Sequence, residues 1–102
     1  MKVIFKPSTN PKKKMMAIFN EKGKDGKLKK KKTTHFGAKG YTDYLISKDK
    51  ERRARYIKRH TNSRENHNNP MSAGSLSRYI LWGESTSKQS NIRSFKKRFN
   101  LT

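Results

Sequence analysis

The sequence predicts an α+β domain: a small antiparallel sheet with a β-hairpin in the N-terminal half, followed by about three short α-helices. Three observations predict it. Two strand-like runs, residues 14–20 and 28–36, flank an Asp25-Gly26 turn. Beyond Gly40 they give way to helix-capping residues and a 3.6-residue apolar spacing. The 102 residues suffice for a single basic domain with one modest core, divided into a lysine-rich β part (1–36) and a helical part (37–102).

Residues 2–6 read as a short strand stopped by Pro7, and Ser8-Thr9-Asn10-Pro11 as a turn. Residues 14–20 form the next strand, with Met15, Ala17 and Phe19 on one face and Met16 and Ile18 on the other. Apolar residues on both faces suit a central strand or a face kept for a partner. Asp25-Gly26 turns the chain into a third strand over 28–36, where Thr33-Thr34 supports the β assignment. Gly37 and Gly40 bracket a tight loop. A helix over 49–60 follows, with Asp49 as N-cap, Glu51 in the first turn and Lys58, Arg59 and His60 in the last. Residues 61–70 read as a polar loop. Ser72 or Ser75 caps a second helix carrying Leu76, Tyr79, Ile80 and Trp82 and ended by Gly83. A third helix spans 87–99, with Ile92, Phe95 and Phe99 on one face.

Charge is the dominant compositional fact. Lys and Arg number 27 against 7 Asp and Glu, a formal charge of +20. Such a chain repels itself when compact, and a polyanionic partner relieves the repulsion. Nucleic acid is the commonest such partner, and binding it adds to the stability of a fold with few apolar residues. Residues 1–32 hold twelve Lys and no Arg, whereas every Arg lies at or beyond Arg52. The two parts therefore offer different cations, hydrated ammonium points and planar guanidinium forks. The absence of cysteine excludes disulfides and thiolate zinc sites and fits a reducing compartment. The longest apolar run, residues 15–19, is too short to span a bilayer, and no apolar segment follows the start as in a signal peptide.

Two basic constellations point to phosphate binding. Lys29, Lys30, Lys31 and Lys32 crowd one strand, with Lys12, Lys13 and Lys14 expected beside them across the hairpin. Alternation puts Lys29 and Lys31 on one face with Thr33 and His35, and Lys30 and Lys32 on the other. Guarding a sheet edge from aggregation needs about one or two lysines, so this crowding reads as a phosphate-tracking surface. The helical stretch supplies Arg52, Arg53, Arg55 and Arg59, with Arg52, Arg55 and Arg59 in one stripe and Ala54 and Ile57 toward the core. No Asn or Gln lies inside this helix to read bases, so its contacts fall on the backbone. Lys96, Lys97 and Arg98 add a third basic segment. Tyr41 and Tyr44, beside glycine, are the candidates for stacking on bases; the other aromatics read as core.

No catalytic motif is present: no HExxH, Walker loop or GxSxG. His60, Glu65 and His67 can be drawn around a metal as a nuclease, but their spacing matches no ligand pattern, and capping or surface roles suit them and Asp43 and Glu84 better. Glu65 reads as an ion-pair partner of Arg59 or Arg64. The chain is thus expected to be no enzyme and to need no metal or cofactor.

The segments 34–44 (THFGAKGYTDY), 49–52 (DKER), 56–60 (YIKRH), 72–82 (SAGSLSRYILW) and 95–99 (FKKRF) carry a resemblance. In them the chain resembles a family of short basic proteins of unknown function encoded by large double-stranded DNA viruses of eukaryotes, giant viruses included. The resemblance implies a viral protein made inside the infected host cell and placed in the virion core. His67 stands where relatives are expected to carry an aromatic residue. Together the residues and the resemblance lead to sequence-nonspecific binding of nucleic acid, DNA ahead of RNA, in compaction or packaging of a viral genome. The alternative is a structural virion protein that binds other capsid or core proteins; a metal-dependent nuclease ranks third.

Overall fold

A computed structural model of the chain describes residues 1–61 and 68–102. Its N-terminal half is a three-stranded antiparallel sheet in the order β1-β2-β3, with β1 at Lys2–Pro7, β2 at Lys13–Lys22 and β3 at Leu28–Ala38. β2 is the central strand, one of the two arrangements that its two apolar faces suit. Val3 pairs with Phe19, Phe5 with Ala17, and Met15 with Phe36, so these side chains share the face that meets the helices. Gly26, at a φ of 79°, supplies the left-handed residue of the turn predicted at Asp25-Gly26. The outer edge of β1 is closed by Thr102: Val3 N–H donates to its carbonyl at 3.1 Å and its N–H to the Met1 carbonyl at 3.1 Å.

The helical half begins with an element the periodicity did not show, α1 at Tyr44–Ser47, capped by Asp43, whose Oδ1 accepts from Ile46 N–H at 3.1 Å. α2 spans Lys50–Thr61. Asp49 caps it as expected, its Oδ1 accepting from Glu51 N–H at 3.0 Å and Arg52 N–H at 3.2 Å. The N-cap of the next helix is Ser72, whose hydroxyl accepts from Ser75 N–H at 3.1 Å. That helix is not the regular one expected. α3 occupies only Ala73–Leu76 and passes into a π-helical turn at Ser77–Leu81, closed by Trp82 N–H on the Ser77 carbonyl. Ile80, Leu81 and Trp82, at the end of this wider turn, are buried together in the core. α4, Lys88–Arg98, is capped by Ser87 and ends in a Schellman turn: Leu101 N–H reaches the Lys96 carbonyl and Asn100 N–H the Lys97 carbonyl, with Asn100 at a φ of 54°.

The core lies between the sheet and these helices. Phe19, Phe36, Leu76, Ile80 and Phe95 are fully buried there, and Phe5 sets its ring edge-on to both Phe36 and Phe95. Trp82 is buried as expected, stacked on Tyr56 with ring centroids 4.3 Å apart. Asn91 is the polar residue that joins α4 to the π turn: its Nδ2 donates to the carbonyls of Ile80 and Ser85, and its Oδ1 accepts from Ser85 N–H. Every polar atom of this buried amide is thereby satisfied. Ile4, Met16 and Ile18, on the opposite face of the sheet, are only half-buried and lie outside the core.

Candidate nucleic-acid interface

The hairpin end of the sheet carries the lysines. Residues 28–32 of β3 are all exposed. The regular alternation expected for them fails at a β-bulge between Phe19 and Asn20. Lys32 pairs with Phe19 and Lys30 with Asn20, leaving Lys31 as the extra residue. One inserted residue reverses the facing of everything beyond it, so Lys30 and Lys32 lie on opposite faces instead of sharing one. Cations therefore point from both faces of this end of the sheet. Lys31 meets Glu21 at 3.4 Å, an exposed pair of little energetic weight.

Lys12, Lys13 and Lys14 do not adjoin this cluster. In an antiparallel hairpin the start of β2 meets the end of β3, and Lys13 pairs with Ala38. The two lysine groups occupy opposite ends of the sheet. Lys14 is further withdrawn from any phosphate: its Nζ contacts Asp43 Oδ2 at 2.6 Å, and Asp43 is buried at 2% exposure. Asp43 so holds α1 with one carboxylate oxygen and β2 with the other.

α2 presents Arg52, Arg55 and Arg59 as one exposed stripe, as its periodicity predicts. The stripe borders an open groove of about 370 Å³ whose other wall is Tyr41 and Thr42 and whose floor is Tyr56 and Trp82. A second open cleft, about 430 Å³, shares these residues with Arg59 and adds Lys13 and His60. Tyr41 is 74% exposed and stands where a base could stack. Tyr44 does not: it is buried, with the Arg53 guanidinium carbon 5.6 Å from its ring centroid. Arg53 is half-buried, its Nε donating to the carbonyls of Trp82 at 3.2 Å and Gly83 at 2.8 Å, so it is turned from the exposed stripe toward the end of the π turn. Ala54, expected to face the core, is exposed, and Tyr56 takes the inward position. The helix is rotated by the Tyr56–Trp82 stack, a large aromatic contact outweighing one methyl group.

At the far end of the chain Lys97 and Arg98 are exposed and Lys96 half-buried. Arg98 lies over the Tyr79 ring at 4.4 Å, and Arg78 lies 5.1 Å from the same centroid. Arg78 had no local signal, since its neighbours are set by the π turn. Burial first, and the Arg53 guanidinium next, lower its pKa from the ordinary arginine value.

Of the histidine constellation only His60 is among the described residues. Glu65 and His67, and with them the proposed partner Arg64, lie outside the described residues. His60 stacks on Tyr56 at 4.0 Å, and His35 Nδ1 shares a 2.7 Å hydrogen bond with the Ser8 hydroxyl. Among the described residues no three His, Cys, Asp or Glu side chains are grouped to hold a metal ion, and no helix is long and apolar enough to cross a membrane.

No curated protein and no solved structure matches the chain. One family model does, over residues 3–60, which takes in all of the sheet but Lys2, the FGAKGY loop and the arginine stripe, and stops short of the RYILW segment. That match covers more than half of the 102 residues, and the chain accordingly belongs to this family of unknown function (DUF5754).

Proposed function

We propose that this protein binds nucleic acid without sequence preference, through phosphate contacts, with double-stranded DNA as its main partner and compaction or packaging of a viral genome as its role. The observation that carries the reading is the exposed stripe of Arg52, Arg55 and Arg59 beside an open groove. Among the described residues none of the three has a carboxylate within ion-pair distance. Guanidinium groups left unneutralised on a chain of +20 gain most from a dense row of phosphates, whose binding releases condensed counterions. The exposed lysines of β3 extend the same field from both faces of the sheet end. In this reading the protein acts inside the infected host cell, and in the virion core if it is packaged. It performs no bond-making step and uses no metal or cofactor.

Affinity for duplexes measured against salt tests the proposal. If on the order of five to eight phosphates are neutralised, log affinity falls against log salt with a slope of roughly −4 to −7. Scrambled duplexes of one length bind within about tenfold of each other, as expected where no bidentate base contacts are made. A shallow slope, or a preference of about 10³ for one sequence, refutes it.

The half-buried face bearing Ile4, Met16 and Ile18 favours a second reading, a structural virion protein that binds other capsid or core proteins. Retention of a stoichiometric protein partner after nuclease treatment of material from the native source selects it.

A further inference from the structure

Three guanidinium groups gather around the end of the π turn, and among the described residues none of them is ion-paired to a carboxylate. Arg78 Nη1 donates to the Trp82 carbonyl at 3.3 Å, and Arg53 Nε donates to the same oxygen at 3.2 Å. Arg78 and Arg98 both lie against the Tyr79 ring. The ion pairs among the described residues are Lys14–Asp43 and Lys31–Glu21, so neither reaches this cluster. Beside it opens a pocket of about 430 Å³, lined by Arg78, Tyr79, Glu84, Asn91, Lys97 and Arg98 among others. Among the described residues Glu84 makes no ion pair.

We infer that this pocket between the π turn and α4 is a phosphate-binding site, with Arg78, Lys97 and Arg98 as the cationic ligands. The inference rests on the nucleic-acid reading only for the source of the phosphate. The two arginines are held by a carbonyl oxygen and an aromatic face, contacts that orient a guanidinium without neutralising it. Their forks suit the oxygens of a phosphate, and little rotamer freedom remains to be lost on binding. Like charges brought this close oppose one another, and a bound anion reverses that opposition. The amide of Asn91 is already engaged with Ile80 and Ser85, so it forms wall, and the exposed Ser94 lines the pocket beside it.

Titration of the full ¹⁵N-labelled chain with inorganic phosphate tests the site through its arginine side-chain resonances. Saturable shifts confined to Arg78, Arg98 and the Ser94–Lys97 turn, weakened roughly tenfold in Lys97→Gln, are expected for a lost charged hydrogen bond. Lys97 is exposed and holds no core contact, so this variant keeps the fold that Arg78→Lys could disturb. Unsaturable shifts spread over the lysines, or Lys97→Gln and Arg98→Gln both binding phosphate like wild type, overturn the inference. A phosphate displaced by an oligonucleotide assigns the site to the nucleic-acid backbone; a phosphate retained beside a bound oligonucleotide assigns it to a separate phosphorylated ligand; both uphold the site. DNA binding without localised phosphate shifts sinks the site alone, and saturable phosphate binding without DNA binding sinks the nucleic-acid reading alone.

Discussion

Lys14 distinguishes a structural cation from a binding one. Its ammonium sits 2.6 Å from Asp43, whose side chain is 3% exposed, while the Lys14 side chain is 19% exposed. Replacing Lys14 with Met keeps the aliphatic stem on β2 and removes the charge. Asp43 then keeps only its cap bond to Ile46 N–H as compensation for a buried carboxylate. Breaking a fully buried pair costs about 3–5 kcal/mol; the partial exposure of Lys14 reduces this to roughly 2–3 kcal/mol. A domain of this length has about 5–15 kcal/mol in total, so the variant folds but melts about 10–20 °C lower. Urea denaturation followed by circular dichroism gives the stability, and Lys14→Met combined with Asp43→Asn recovers part of it, because the uncompensated charge is gone. In the same variant the salt slope of DNA binding stays as in wild type. A variant of unchanged stability whose slope drops by about one unit would show that Lys14 meets a phosphate and that its pairing with Asp43 is incidental.

Further outcomes follow from other positions. Changing Arg52, Arg55 and Arg59 together to Gln lowers the salt slope by about three units with thermal stability held, as read by fluorescence anisotropy and melting; an unchanged slope removes α2 from the interface. Tyr41→Ala leaves stability untouched, since the ring is exposed, and weakens single-stranded DNA by about 1–3 kcal/mol while sparing duplex. Equal loss on both substrates, or on neither, excludes stacking. Gly83→Ala drives a Cβ into the Tyr79 carbonyl and to 2.6 Å from Asn91 Cγ. It destabilises by about 1–3 kcal/mol or more, and a neutral effect in denaturant titration contradicts the close π-turn packing.

The helical and strand elements were legible wherever the signal is local. Asp25-Gly26 and Asp49 act within three residues of themselves, and the turn and the cap formed where their chemistry placed them; of Ser72 and Ser75, Ser72 took the cap. The alternation of Met15, Ala17 and Phe19 likewise set the buried face of β2, and the spacing of Arg52, Arg55 and Arg59 set the exposed stripe of α2. α1 escaped because its cap, Asp43, heads a helix too short to repeat any period.

By itself, then, the sequence determined the α+β class, the basic character and the candidate stripe, all properties summed over neighbours or over the whole composition. Only the tertiary structure decided which cations remain available. Lys14 is neutralised by a residue 29 positions away, and Arg53 is engaged by carbonyls 29 and 30 positions away. Tyr44 is buried while Tyr41, three residues earlier, is exposed. The bulge beside Asn20 separates Lys30 from Lys32, and the π turn gathers Arg78 with Arg53 and Arg98. A charge read from sequence is a count; its availability depends on long-range partners that chain folding brings within a few ångströms, and no local pattern encodes them.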